Sequence, residues 1–376
     1  MTEIAIKLFD VHCNLQDPRI LNKAPKLIST ALDSGVLNFA VNGVHEKDWH
    51  LVKEMGEKYS SVIPCFGVHP WYVAQRSPNW FSTLKEFFET TPSAAVGEVN
   101  FFNVVLIRLS FINLTKIGLD KGSKGRETDF NDQVLTVSCY LDCHLFCTTY
   151  VYMLLDVTEE SKKPAFSLVE VFRQQLELAK ELKKRASVHY VRAYATTCIS
   201  LILCINFLID VGPFPDGLLL HSYLGSAEMV PEFVKSGAYF SFSGYIMTLK
   251  LQKAKKMLKT IPSERILLES DAPDAMPNSE SSSLFLVDED TSLRQEFFAQ
   301  GRNSASNASI PSDNQSLTPR EVSSLPKDML NHPANIHNVL DYVANLLEIS
   351  KEELAEISCR NAVQLFSYQG SKVALG

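Results

Sequence analysis

The sequence predicts a (β/α)8 barrel, a TIM-like α/β fold, and three observations carry that expectation. Eight short, continuously apolar runs recur along the chain, at 4–9, 36–41, 62–68, 94–99, 186–191, 217–222, 237–243 and 265–271. Segments long enough for a helix separate most of them, and continuous apolar strands alternating with helices indicate a parallel sheet buried on both faces. Residues with metal-binding chemistry then fall at or just after the ends of these runs: His12, His69, Glu98, His189, His221 and Asp271. Barrels of this type carry their chemistry at the C-terminal ends of the strands, and random capping would not place six His and acidic residues so consistently. A doubly wound open sheet is the main competing architecture.

The first run, Ile4 to Phe9, leads straight into Asp10-Val11-His12-Cys13-Asn14. Strand alternation would point Asp10, His12 and Asn14 into one space if the extended geometry holds to the end. Gly35 then ends a helix ahead of the strand at 36–41. A polar, amphipathic helix is expected over 45–59, before the run that ends on His69 and Pro70. Residues 80–90 read as a helix, and 94–99 as a short strand with a lone carboxylate, Glu98. The segment 168–185 is strongly amphipathic, with Val171, Phe172, Leu176, Leu178, Ala179 and Leu182 as its apolar positions. Further helices are expected over 227–235, 249–258, 336–347 and 351–366.

With 376 residues, 45% of them hydrophobic, the chain can bury a large core, and it reads as a single barrel domain over 1–376. Its net charge of -7 provides no global positive field for nucleic acid. Such a substrate would have to be held locally, through metal ions or a few cations. The apolar stretch 134–155 has the length of a membrane span but is interrupted by Asp142 and His144, and 198–209 falls short of the roughly 20 residues a span needs. No basic, signal-peptide-like start precedes an apolar core, and eight irregularly spaced cysteines fit reduced thiols in the cytosol or nucleus. Neither a membrane nor an obligate protein partner is indicated.

Any one of the six polar residues has an ordinary explanation, His69 as a turn histidine and Glu98 as an exposed acid among them. Jointly, imidazoles and carboxylates so widely separated in sequence can ligate two divalent ions, one carboxylate bridging, with a shared water of lowered pKa as nucleophile. The stretches Phe9-Asp10-Val11-His12, Gly67-Val68-His69-Pro70-Trp71, Gly97-Glu98, Val188-His189, His221-Ser222-Tyr223-Leu224-Gly225-Ser226 and Glu269-Ser270-Asp271-Ala272-Pro273 appear in that order. In this series the chain resembles the TatD-type metal-dependent deoxyribonucleases, within the amidohydrolase-like barrels. The resemblance implies that His12 binds a first metal, that Glu98 bridges, and that His189 and His221 bind a second. It assigns Asp271 to the first metal and to the role of base, and it places His69 at the substrate. It further implies two divalent ions, Mg²⁺ with Mn²⁺ or Zn²⁺ as alternatives, and hydrolysis of DNA phosphodiesters from the 3′ end.

The chain departs from the family's pattern in two respects. Asn14 stands where the family usually has a second histidine, and its amide oxygen would serve as a further but poorer ligand, favouring hard cations. Three apolar stretches, about 100–116, 134–167 and 194–210, interrupt the pattern and hold Cys139, Cys143, Cys147, Cys198 and Cys204. They read better as translated non-coding sequence than as exposed insertions, because long exposed apolar loops invite aggregation. Spacings of four do not match zinc or iron–sulfur patterns, so Cys139, Cys143 and Cys147 with His144 read as incidental thiols. The Ser/Asn-rich stretch 276–330 reads as a flexible loop. Two rival functions remain open at this point: an amide or ester hydrolase on the same barrel, and a catalytically impaired relative weakened by Asn14 and the interrupted Glu98 strand.

Overall fold

The computed structural model describes residues 6–99, 159–189, 211–278, 284–288 and 329–373. Eight strands follow one another around a single sheet in chain order: β1 (Leu8–Cys13), β2 (Val36–Gly43), β3 (Val62–Phe66), β4 (Ala95–Val99), β5 (Ala186–His189), β6 (Leu218–His221), β7 (Ala238–Phe242) and β8 (Ile266–Leu268). All neighbours are parallel. The exit of β8 is tied back to β1, where the Asp271 N–H donates to the His12 carbonyl (3.0 Å) and the Asn14 N–H to the Ala272 carbonyl (2.7 Å). The sheet thus curls into the expected (β/α)8 barrel. Gly67 and Gly97 let the ends of β3 and β4 approach closely, since a Cβ on either would sit 3.0 Å from the other strand's backbone.

Around the barrel run α1 (Ala24–Asp33), α2 (Trp49–Lys58), α3 (Trp80–Thr90), α4 (Glu159–Glu181), α5 (Val230–Lys235), α6 (Leu251–Thr260), α7 (Ile336–Leu347) and α8 (Lys351–Phe366). Alternation along the strands sorts the core into two compartments. Phe9, Val11, Ala40, Ile63, Cys65, Ala95, Leu219 and Leu267 fill the interior, while Leu8, Phe39, Val41, Phe66, Val96 and Leu220 pack under the helices. The helices answer with stripes at helical spacing, such as Trp80, Leu84 and Phe88 of α3. The last helix does something different. Ala362, Leu365 and Phe366 of α8 join the interior set, with the Phe366 ring 4.7 Å from that of Phe9, and so stopper the barrel at the end opposite the strand tips.

Three expectations about elements need correction. The helix expected over 45–59 begins only at Trp49, because the Asp48 carboxylate accepts the Val44 and His45 N–H groups (3.1 and 3.2 Å) and folds the preceding residues into a turn. The helix expected over 168–185 begins at Glu159, inside the stretch read as the 134–167 insertion, and ends at Glu181, ahead of Lys183 with φ of 52°. The stretch 276–330 is not wholly a loop. Its short apolar run makes β9 (Leu286–Asp288), which pairs antiparallel with β10 (Met329–Asn331), and Leu284, Leu286 and Val287 are buried. Residues 100–116, 134–158 and 194–210, and with them Cys139, Cys143, Cys147, His144, Cys198 and Cys204, lie outside the described residues. Among the described residues no helix is long and apolar enough to cross a membrane.

Candidate active site

The strands deliver their polar tips into the barrel mouth by two routes. On β5, β6 and beyond β8, plain alternation suffices. His189 follows Ser187, His221 follows the interior Leu219, and Glu269 follows the interior Leu267. On β1 and β4 it does not, because His12 shares its parity with the outward Leu8, and Glu98 with the outward Val96. Each strand carries a register shift just there, between Asp10 and Cys13 and between Val96 and Glu98. Such irregularities re-aim a side chain. The single-face reading of Asp10, His12 and Asn14 is therefore corrected: the extended geometry breaks before the strand ends, and Asp10 parts company with His12.

Six chain segments meet at this mouth. His12 Nε2 lies 3.6 Å from Glu98 Oε2 and 3.9 Å from Asp271 Oδ1, and His221 Nε2 lies 3.7 Å from the same Asp271 oxygen. The His12 and His221 rings stack, with centroids 3.5 Å apart and planes 14° from parallel. On the other side of Glu98, Oε1 lies 3.4 Å from His69 Nε2 and in close contact with His189 Nδ1. Two groups of potential ligands result, His12 with Glu98 and His221, and His69 with Glu98 and His189, each with its ligand atoms within 4.8 Å of one another. Glu98 belongs to both. The geometry pairs His221 with His12 rather than with His189, a different partition from the one that the resemblance implied.

Behind these residues stands a layer that sequence reasoning left without roles. Glu269, fully buried, accepts the Ser222 N–H (2.8 Å), the Ser222 hydroxyl (2.6 Å) and the Ser241 hydroxyl (2.5 Å), and its Oε1 lies 2.9 Å from His221 Nδ1. A proton on Nδ1 facing Glu269 leaves the Nε2 lone pair of a neutral His221 toward Asp271, the arrangement that orients a metal-ligating imidazole. Asp10 accepts the Ser270 N–H (2.9 Å) and hydroxyl (2.5 Å), while Asn331 Nδ2 donates to the Ser270 carbonyl (2.8 Å). The peptide before Asp271 is thereby clamped on both sides, and Asp271 holds φ of 52°, a left-handed conformation costly for a residue with a Cβ. The signal for Glu269 was available in its position two residues before Asp271, on the interior face of the strand. Asp10's supporting part depended on the register shift and was not.

Burial and mutual proximity set the charges. Burial alone would raise Glu98, but His69, His189 and His12 hold it well below the usual carboxylate range. Burial, with the neighbouring charges of Glu269 and Glu98, pushes Asp271 well above its ordinary value. His221 resists the depressing effect of burial and rises to about 10 beside Glu269 and Asp271, whereas burial and the stacked His221 lower His12 to about 4. His69 also falls to about 4 through burial. Its Nδ1 accepts the Trp71 N–H (3.2 Å), so the proton of the neutral ring sits on Nε2, facing Glu98. In that tautomer His69 is a hydrogen-bond donor rather than a ligand.

The residues fit a divalent cation. His12 Nε2 and the Asn14 side-chain oxygen are buried without a hydrogen-bond partner, and carboxylates and imidazoles converge on the same few ångströms. A mixed N/O donor set of this kind suits a hard or borderline metal ion.

Comparison with known proteins agrees with this geometry. The chain is 27% identical over 359 residues to an uncharacterized metal-dependent hydrolase, YabD, of Bacillus subtilis, covering 96% of this chain and 98% of that one. It is 22% identical over 367 residues to the human deoxyribonuclease TATDN3, covering 97% of both, and 23% identical over 274 residues to a 3′-5′ ssDNA/RNA exonuclease TatD of Citrobacter koseri, covering 72% of this chain and 80% of that one. The crystal structure of YJJV, a TatD homologue from Escherichia coli, superposes with a TM-score of 0.62 at 16% identity, over 97% of this chain and 100% of the other, and so shares its fold. The family model for TatD-related DNases matches residues 9–100 and 155–367, a span that takes in every residue of the mouth and passes over 101–154. This chain belongs to the TatD-related DNase family.

Proposed function

We propose that the protein is a divalent-metal-dependent phosphodiesterase that hydrolyses DNA from the 3′ end. The observation that carries this reading is the position of Glu98, whose two oxygens face two separate groups of imidazoles. That arrangement supports a pair of cations sharing one carboxylate; the oxygens of Glu98, Asp271 and Asn14 would accept Mg²⁺, and the three imidazoles leave Mn²⁺ and Zn²⁺ as alternatives. His12, His221 and Asp271 would hold one ion and His189 the other, with Glu98 shared between them and Asn14 as a further ligand of the first. When bound, such ions neutralise phosphate charge and supply a nucleophile from water at neutral pH. Asp271, beside His12 and His221 in the mouth, would take the proton released by the attacking water. His69 directs its Nε2 proton into the mouth, where it can donate to a phosphate oxygen. Glu269, 2.9 Å from His221 Nδ1, would orient the imidazole toward the ion. The reading places the enzyme, a single barrel domain, in the cytosol or nucleus.

The test is a Mg²⁺-dependent exonuclease assay on single-stranded DNA, comparing the natural protein with Asp271→Asn. The substitution is expected to lower kcat between about 10²- and 10⁴-fold while the folded state persists by circular dichroism. Absence of hydrolysis by the natural protein with metal bound would refute the nuclease reading and favour the impaired relative.

A further inference from the structure

Trp71 is the most exposed large apolar side chain among the described residues, with 70% of its surface open, and it stands beside the mouth. A single exposed apolar side chain is ordinary by itself, but an indole held against His69 at the rim of the candidate active site is placed to meet a substrate. Its placement is fixed rather than floppy. Pro70 opens the 3-10 turn Pro70–Gln75, and the Trp71 N–H is held by His69 Nδ1 (3.2 Å). The indole meets the His69 ring edge to face, with centroids 4.7 Å apart and planes at 73°. His69 in turn reaches Glu98 at 3.4 Å. One imidazole therefore spans the whole gap between Trp71 and the carboxylate that both ligand groups share. We propose that Trp71 is a stacking platform for a nucleobase of a single-stranded substrate, one nucleotide removed from the phosphodiester held in the mouth.

The charge of the molecule sharpens the argument. With a net charge of -7, long-range attraction cannot gather a polyanion, so affinity has to come from the cations in the mouth and from uncharged contacts. Base–aromatic stacking is such a contact, and it tolerates any base because each has a π-face. A single platform next to the cutting position suits an enzyme that accepts many sequences in single-stranded form, where bases are free to leave their neighbours. The inference rests on the nuclease reading and adds to it the residue that recognises a base.

The chain contains three tryptophans, and the other two, Trp49 and Trp80, are 0% and 6% exposed, so solvent-exposed indole emission reports on Trp71. The full-length protein with Mg²⁺ is titrated with a hydrolysis-resistant phosphorothioate (dT)4 and with the same oligomer lacking its bases. The base-bearing oligomer is expected to quench the exposed emission. Trp71→Leu should weaken its binding, measured by calorimetry, between about 5- and 100-fold, and Trp71→Phe should retain most of it. The abasic oligomer should bind natural protein and Trp71→Leu equally. Absence of quenching, or an equal loss for both oligomers, overturns the platform. A nuclease assay on ordinary DNA keeps the two ideas apart. Hydrolysis with KM unchanged by Trp71→Leu removes the platform and leaves the nuclease, whereas quenching without any hydrolysis by the natural protein removes the nuclease alone.

Discussion

Individual side chains at the barrel mouth divide into those that face the chemistry and those that hold them. His12, Glu98, His189, His221 and Asp271 could be singled out because each ends an apolar run, and the folded chain brings all five together with His69. Their division of labour was less legible. Glu269 looks in the sequence like one more acid before Asp271, yet three donors and the His221 ring surround it. Which nitrogen of His69 bears the proton depends on the Trp71 backbone, two residues away. Asn14 stands just past His12 with its buried side-chain oxygen lacking a hydrogen-bond partner, as a ligand atom would be without its ion. Asn14→His replaces a neutral oxygen donor with an imidazole and should tighten Zn²⁺ relative to Mg²⁺ and raise activity. Calorimetric titration of each metal checks this, and identical affinities would mean that position 14 does not reach the ion.

At the level of elements, apolar runs located seven of the eight strands well because strands buried on both faces leave continuous hydrophobic stretches, whereas the run at 4–9 meets β1 (Leu8–Cys13) only at Leu8 and Phe9. What these runs could not disclose is the register shift in β1 and in β4, which decides the direction of His12 and Glu98. Nor could an average over a Ser- and Asn-rich segment disclose β9 and β10, since a run as short as Leu284 to Val287 is diluted by its surroundings. That small hairpin matters beyond its size. Asn331, at the end of β10, donates to the Ser270 carbonyl and accepts a hydrogen bond from Asn335 (2.9 Å), and its own N–H donates to the Pro273 carbonyl (2.9 Å). Asn331→Ala leaves the Ser270 carbonyl and the Asn335 amide short of partners inside the protein, at a cost of about 1–3 kcal/mol. Because the clamp holds Asp271 in its left-handed conformation, kcat should fall more than KM changes. Urea unfolding and steady-state kinetics on this variant separate the two effects.

Considered whole, the barrel is open for chemistry at one end and shut at the other. Phe366 of α8 stacks against Phe9 and lies under the Arg185 guanidinium, 3.7 Å from ring centre to Cζ. Phe366→Ala should destabilise the protein by about 3–5 kcal/mol, as for other large core truncations, with the distant mouth left intact in the molecules that remain folded. A drop in activity per folded molecule would contradict that separation. The pairing of β9 with β10 has one more consequence for the molecule. It sets Asp288 directly opposite Met329, so the chain departs and returns at the same spot whatever its length in between. A short turn joining Asp288 to Met329 should therefore keep the two strands in register and Asn331 on the Ser270 carbonyl. The shortened protein should match the natural one in melting temperature and DNA cleavage, and a loss of either would show that the hairpin needs more than its own two posts.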